Sequence, residues 1–397
     1  MILEHRVRHQ GDDRDCDQHP PPRVVVATPL GRGGAGGIDR LMDNIADQHG
    51  ARPEKLRLVF RPTRGAGGIV WAPFVLLRFL ALLVVDASRG EVDLLHVNLA
   101  SRGSTYRKLV IAQLARRLGI PYVVHLHGAE FHHFLAGASP LVRRQVAAMF
   151  AGAARVLVLG EVWRRFLAAE VCGATDRIVI LPNATPAATL AHVPSRTVRI
   201  LFLGRVGERK GVPELVSALA RLPRDGSWRA VIAGDGDLTR THARVQDLGL
   251  GECVELAGWV GPSEVAELLA ASDVLVLASH DENLPMSVIE AMAAGLAVVA
   301  TPVGATSDLI TDGRTGLLVA PGDVQALTVA LLELLDDPAL RRRLGAAARV
   351  AHAERLEIRQ YVTRLEALWH EVAGETPRRG RRPPPLRRAL LRRLDRA

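Results

Sequence analysis

Two glutamates separated by seven residues, Glu282 and Glu290, stand in the segment SDVLVLASHDENLPMSVIEAMAAGLAVVATPVG, residues 272–304. Paired carboxylates can grip a polyhydroxylated ligand or divide acid and base work between them. Upstream, the segment LFLGRVGERKG (201–211) carries Arg205 and Lys210. Fixed cations in a loop can meet the negative charge that builds on a departing diphosphate, with no proton transfer needed. A third feature, GRGGAGG at 31–37, follows the first apolar run. Glycines there let backbone N–H groups and a helix N-terminus come close to a phosphate. The fourth is HLHGAEFHH at 125–133, four histidines at the end of another apolar run.

These residues must be positioned by regular elements, and the patterning supplies them. Val274–Leu277 is an apolar β-branched run; Pro285 suits the first turn of a helix over Met286–Ala294, Gly295 its end, and Leu296–Ala300 a second strand. Glu282 then falls in the loop at the carboxyl end of a strand, where open parallel sheets bind ligands, and Glu290 in the following helix. Asn283 to Val288 place backbone donors at a helix start. Pro285 has no N–H, which leaves Met286 and Ser287 as the anion donors. Along the chain, apolar runs at 24–27, 56–60, 94–97, 122–126, 156–159 and 178–181 alternate with helical patterns at 38–48, 106–118 and 141–150. After a Pro-, Ala- and Thr-rich connection at 182–194 the alternation restarts, with runs at 200–203, 229–233, 254–256, 274–277, 297–300 and 316–319. The expected class is α/β, with two doubly wound, Rossmann-like parallel-sheet domains facing a cleft, over 23–190 and 196–350. Residues 351–374 read as a further helix within a helical stretch at 341–372. A disordered arm over 1–22 and a basic tail over 375–397 complete the organisation.

Length agrees with two cores, since single cores stop growing at about 250–300 residues. Three cysteines, Cys16, Cys172 and Cys253, are far apart with no C-x-x-C, which supports neither a disulfide framework nor structural zinc and suits a reducing cytosol. The first twenty residues have no apolar h-region, so no secretory leader is expected, and no apolar stretch is read as long enough to span a bilayer. The net charge of +9 is concentrated at the end: residues 376–397 hold nine arginines and one aspartate, eight of the nine net charges. The body is near neutral and lacks basic stripes interleaved with stacking aromatics, so no nucleic-acid partner is expected.

The spacing Glu282-x7-Glu290 and its surroundings resemble the motif of retaining, family 4 nucleotide-sugar glycosyltransferases of GT-B fold (glycosyl transferases group 1). Gly204-Arg205 and Lys210-Gly211 resemble that family's G-R-x4-K-G motif, and His127-Gly128 its histidine-glycine pair. The resemblance covers nearly all of 23–370. It implies a hexosyltransferase in which Arg205 and Lys210 clamp the diphosphate, Glu282 and His127 contact the transferred sugar, and Glu290 holds the ribose. Asn283, Leu284, Met286 and Ser287 complete the donor site. Gly36-Gly37 resembles the family's glycine pair best, with Gly33-Gly34 the alternative for meeting the phosphates. It implies no metal or other cofactor, a UDP-sugar ahead of a GDP-sugar as donor, and a glycan or lipid-linked acceptor in envelope or exopolysaccharide assembly. The 351–374 helix is expected to cross back onto the first domain.

Other chemistries compete. Gly31, Gly33 and Gly36 match G-x-G-x-x-G, and Arg61 after the second strand could serve an NADP phosphate, so an NADP-dependent oxidoreductase is one alternative. A non-catalytic nucleotide-sugar binder is another, and a glycoside hydrolase using the paired glutamates a third. The histidine cluster lacks a carboxylate or cysteine pattern for zinc. Asp235-Gly236-Asp237 is read as turn chemistry. Phe74–Val85, apolar with Arg78 inside, reads as core packing first and as an interfacial segment second. The tail leucines at 386, 390, 391 and 394 with paired arginines read as a short basic amphipathic helix suited to an anionic membrane, placing the protein in the cytoplasm at the inner face of the membrane.

Overall fold

The structure, a computed structural model, describes residues 20–375 apart from 35, 51–54, 173–175 and 194. Most of the N-terminal arm and all but the first residue of the basic tail lie outside the described residues.

Six strands build a parallel sheet: β1 (Arg23–Thr28), β2 (Arg57–Pro62), β3 (Leu94–Leu99), β4 (Tyr122–Leu126), β5 (Arg155–Val158) and β6 (Ile178–Ile180), in the order β2-β1-β3-β4-β5-β6. Six more build a second: β7 (Val198–Leu203), β8 (Trp228–Ala233), β9 (Val254–Gly258), β10 (Val274–Leu277), β11 (Ala297–Ala300) and β12 (Leu317–Leu318), in the order β12-β11-β10-β7-β8-β9. The central strands are buried on both faces. Val24 to Ala27 and Val274 to Ala278 are all at most 3% exposed, which is why they appear in sequence as unbroken apolar runs rather than alternations.

Right-handed crossovers place the helices. The step from β1 out to β2 puts helix Gly37–His49 on one face of the first sheet. The return from β2 to β3 and the step on to β4 put helices Gly68–Ser88 and Gly103–Leu118 together on the other. The helical stretch expected at 341–372 is two helices, Pro338–Arg355 and Ile358–Glu375. The first packs against β11 and helix Met286–Ala294. The second lies beside helix Gly37–His49 on the first sheet, burying Tyr361, Leu365 and Trp369 against Val24, Val26, Leu41 and Ile45. Trp369 Nε1 donates to His96 Nδ1 at 3.1 Å, and Glu366 Oε1 lies 2.7 Å from His49 Nδ1.

Two readings of helix Gly68–Ser88 need correcting. Val70–Ser88 is 19 residues with a mean hydropathy of 2.0, so an apolar stretch of spanning length does exist. It is also not core throughout: Ala72, Phe79 and Leu83 are buried while Trp71, Phe74 and Leu77 are at least 60% exposed.

Candidate active site

β7 and β10 are hydrogen-bonded neighbours because the chain winds outward through β8 and β9 and then returns to the other side of β7. At such a reversal of strand order the loops leaving the two strands diverge and open a crevice at their carboxyl ends. Arg205 and Lys210 leave from β7, Glu282 and Glu290 from β10. All four line one cleft of about 990 Å³, whose opposite wall is Gly37, Arg40, Arg64, Ser101, Arg102 and His127 of the first domain. The volume suits a small-molecule ligand.

The β7 loop is pressed onto the β10 loop. Lys210 ends a single 3₁₀ turn, and Gly211 follows with φ +68°; a Cβ there would stand 1.9 Å from the carbonyl oxygen of Ala278. Only glycine permits both the conformation and the approach. The result is that Lys210 Nζ donates to Glu282 Oε1, which also accepts from Ser279 Oγ at 2.8 Å. Glu282 is 6% exposed, so its charge depends on these two donors. Gly304, φ +58°, packs as closely beneath the Glu282 carbonyl. Arg205 differs: it is exposed on the cleft wall and forms no ion pair with any described residue.

Glu290 sits inside helix Met286–Ala294. One carboxylate oxygen accepts from Arg40 of helix Gly37–His49, across the cleft, and the other has no partner. Burial pushes the Glu290 pKa up and Arg40 opposes that shift. A buried acceptor without a donor, on a residue that lines a cleft, is a candidate partner for a ligand hydroxyl. Met286 and Ser287 open the helix and line the cleft, with the unpaired N–H groups of a helix start. Leu284 and Asn283 line it too: Asn283 Nδ2 donates to Leu126 O at 3.2 Å while its Oδ1 has no partner among the described residues, and Asn183 Nδ2 donates to Leu284 O at 2.9 Å. Both bonds tie the second domain to the first.

In the glycine-rich loop, Gly37 lines the cleft and Gly36 does not; the Gly36 carbonyl accepts the Arg40 N–H at 2.9 Å. The N–H groups of Leu30 and Gly33 are satisfied by Asp39 and Asp43 at 3.0 and 2.9 Å. Carboxylates at that turn repel phosphate, which removes the basis for a dinucleotide fingerprint there. Arg61 is held by Asp86 at 2.5 Å.

His127 follows β4. Asn98 Nδ2 donates to Ala27 O at 3.3 Å, which turns its Oδ1 to His127 Nε2 at 2.9 Å and assigns the proton to that nitrogen. Burial, then His96, pushes the His127 pKa down to about 3, so the ring is neutral and its Nδ1 is an acceptor. The ring lies 3.9 Å from His125, which is 5.4 Å from His96. His132 and His133 belong to helix Phe131–Ala136 instead. Asp237 caps helix Leu238–Asp247 through the Arg240 N–H, the turn role expected of it. Among the described residues no three His, Cys, Asp or Glu side chains gather as metal ligands.

Three contributors were not singled out as site residues from sequence: Arg40, Ser279 and Asn98. Arg40 carried a signal, lying three residues past Gly37 on the same helix face.

Comparison with known proteins follows the same division. Residues 20–184 match the family "Glycosyl transferase 4-like domain" and residues 192–351 the family "Glycosyl transferases group 1". A 2-deoxystreptamine glucosyltransferase of Streptomyces kanamyceticus is 30% identical over 274 residues, 63% of this chain and 70% of the relative. A lipopolysaccharide core biosynthesis glycosyltransferase of Rhizobium meliloti is 33% identical over 172 residues, 43% of this chain and 48% of that protein. Among solved structures, a sucrose-phosphate synthase of Thermosynechococcus elongatus has a TM-score of 0.76 at 22% identity, covering 89% of this chain and 100% of that one. Anabaena HepE, solved with UDP-glucose, has a TM-score of 0.69 at 19% identity, covering 87% and 99%. These likenesses identify the architecture as the two-domain GT-B fold.

Proposed function

The chain belongs to the glycosyl transferases group 1 and is an enzyme of the glycosyltransferase class; from that premise we propose that it moves a sugar from a nucleoside-diphosphate-sugar, a UDP-sugar before a GDP-sugar, to an acceptor hydroxyl with retention at the anomeric carbon. One observation carries the reading. A guanidinium with no ion pair among the described residues, Arg205, and an ammonium, Lys210, line the same cleft as Glu290, whose second carboxylate oxygen is buried without a partner, at the switch between β7 and β10.

In this reading the diphosphate lies between Arg205, Lys210 and the N–H groups of Met286 and Ser287, and Glu290 accepts from the ribose hydroxyls. As the glycosidic bond breaks, its electron pair goes to the diphosphate oxygen, where the two cations lower its energy. The same oxygen takes the acceptor's proton while the acceptor oxygen bonds the anomeric carbon on the side being vacated. Glu282, engaged by Lys210 and Ser279, positions the sugar and is not a covalent nucleophile. His127, neutral and fixed by Asn98, offers Nδ1 to a sugar hydroxyl. Solved neighbours of the same fold hold UDP and UDP-glucose. Relatives act in lipopolysaccharide core and exopolysaccharide chemistry, which supports a glycan or lipid-linked acceptor at the inner face of a cell membrane.

Release of nucleotide from a panel of UDP- and GDP-sugars, with and without candidate acceptors, tests the reading. Turnover should fall at least tenfold in Glu290→Gln. Unchanged turnover in that variant, or donor binding without release against every acceptor, overturns it.

A further inference from the structure

Helix Gly68–Ser88 turns an apolar stripe to the outside. Val70 (74% exposed), Trp71, Phe74, Leu77, Ala81, Val84 and Val85 recur at i, i+3 and i+4, opposite the buried stripe of Ala72, Phe79 and Leu83. At 1.5 Å per residue the outer stripe runs for about 20 Å. Helix Gly103–Leu118, packed beside it on the same face of the sheet, adds exposed Tyr106 and Val110. A continuous surface of this composition exceeds what a monomer scatters singly.

Its charge is one-sided. No aspartate or glutamate occurs between Arg64 and Val85 or between Ala100 and Ala129. Asp86, at the far end of the helix, is buried and consumed by Arg23 and Arg61. Arg64, Arg78 and Arg117 are exposed and form no ion pair with a described residue, and the Arg107 guanidinium stands close enough to Arg64 for the two to repel.

We infer that this face docks on an anionic lipid bilayer, with Trp71, Phe74 and Leu77 in the boundary between headgroups and acyl chains and the arginines against the headgroups. The helix lies in the interface and does not cross it, because Ala72, Phe79 and Leu83 are committed to the sheet beneath and pulling them out would open the first domain's core. A second copy of the chain is the poorer occupant, since self-pairing would set Arg64, Arg78 and Arg117 against their own copies, and the one ion pair Arg102 makes, with Glu130, is internal to the chain. Arg64 and Arg102 belong both to this face and to the first-domain wall of the cleft, so docking sets the cleft mouth at the headgroup layer. The functional consequence, which rests on the glycosyl-transfer reading, is that the acceptor arrives from the bilayer as an amphiphile.

The test uses the full chain, with vesicles of phosphatidylcholine alone or mixed with phosphatidylglycerol, pelleted at low and high salt. The protein should bind the anionic vesicles at least tenfold more tightly than the neutral ones. The triple variant Trp71→Ser/Phe74→Ser/Leu77→Ser should lose at least tenfold in that binding, and Arg78→Glu severalfold, both with unaltered melting temperature and unaltered nucleotide-sugar turnover in detergent-free buffer. The inference fails if the triple variant pellets like the parent, as it would were the tail beyond residue 375 the sole anchor. Equal binding to both vesicle types also overturns it, as does a dimer, seen by light scattering, that the triple variant dissociates without any change in vesicle binding. Pelleting is read without a sugar donor, so failure here and failure of the transfer reaction are independent results.

Discussion

Arg205→Ala should separate catalysis from stability more cleanly than any other substitution in the cleft. The side chain is exposed and paired with nothing among the described residues, so its removal should leave folding free energy within about 0.5 kcal/mol of the parent. Its effect on the reaction follows from charge. A unit charge about 4 Å from a phosphate oxygen, at an effective dielectric near 20, contributes about 4 kcal/mol. The diphosphate is already anionic when it binds, so only the charge arriving during bond cleavage counts toward kcat. Taking about half of the interaction as differential gives roughly 2 kcal/mol, or about 30-fold in kcat, with the rest appearing as weaker donor binding. A coupled nucleotide-release assay gives both constants, and guanidinium added in solution should restore part of the rate in Arg205→Ala while leaving the parent unchanged. Within threefold of parental kcat, or a loss of activity matched by a fall in melting temperature, the argument is wrong.

Lys210→Ala should differ in kind: it removes the cation that balances buried Glu282, costing about 3–5 kcal/mol of stability as well as activity, and adding Glu282→Gln should recover most of the melting temperature but none of the rate. Gly211→Ala should lower both melting temperature and turnover, since the new Cβ has no room against the Ala278 carbonyl and φ is +68°; turnover equal to the parent's would show that the loop relaxes freely. Arg40→Gln strips Glu290 of the one cation paired with it among the described residues, so the carboxyl protonates at higher pH and the acid limb of donor binding should move upward in pH, read by titration calorimetry across pH 5 to 8. His96 is held near pKa 4, mainly by burial, against about 6.5 in the unfolded chain, so its share of stability is complete above pH 6.5 and is lost as pH falls toward 4. From pH 6.5 to 4.5 that share is about 2 kcal/mol, and His125, lowered in the same direction, steepens the loss. Urea unfolding of His96→Leu at several pH values should show a slope shallower by up to about 1.4 kcal/mol per pH unit, and an unchanged slope would refute it.

Much of the fold was legible because parallel strands buried on both faces must be apolar throughout. Val24–Ala27 and Val274–Leu277 could be nothing else once short, β-branched and followed by helix starts. The break between helices Pro338–Arg355 and Ile358–Glu375 was not legible. No glycine or proline marks it, and it is set by the bridge between Thr185 and Glu357, where the chain passes from the second domain to the first. Helix Gly68–Ser88 misled for another reason: with apolar residues on both stripes, periodicity cannot say which one meets water.

The sequence alone determined which chemical groups this protein owns: a guanidinium and an ammonium after one strand, two carboxylates after another, and glycines where backbone must pass close. Charge type, strand ends and helix starts are local properties, written in residue identity. What each group does was decided by tertiary structure. Lys210 balances Glu282 while Arg205 finds no ion pair among the described residues, Asp39 and Asp43 fill the glycine loop that looked ready for phosphate, and Arg40 reaches Glu290 from the other domain. Pairing, burial and exposure depend on residues brought together from distant parts of the chain, and no local pattern encodes which of two like charges will find its partner.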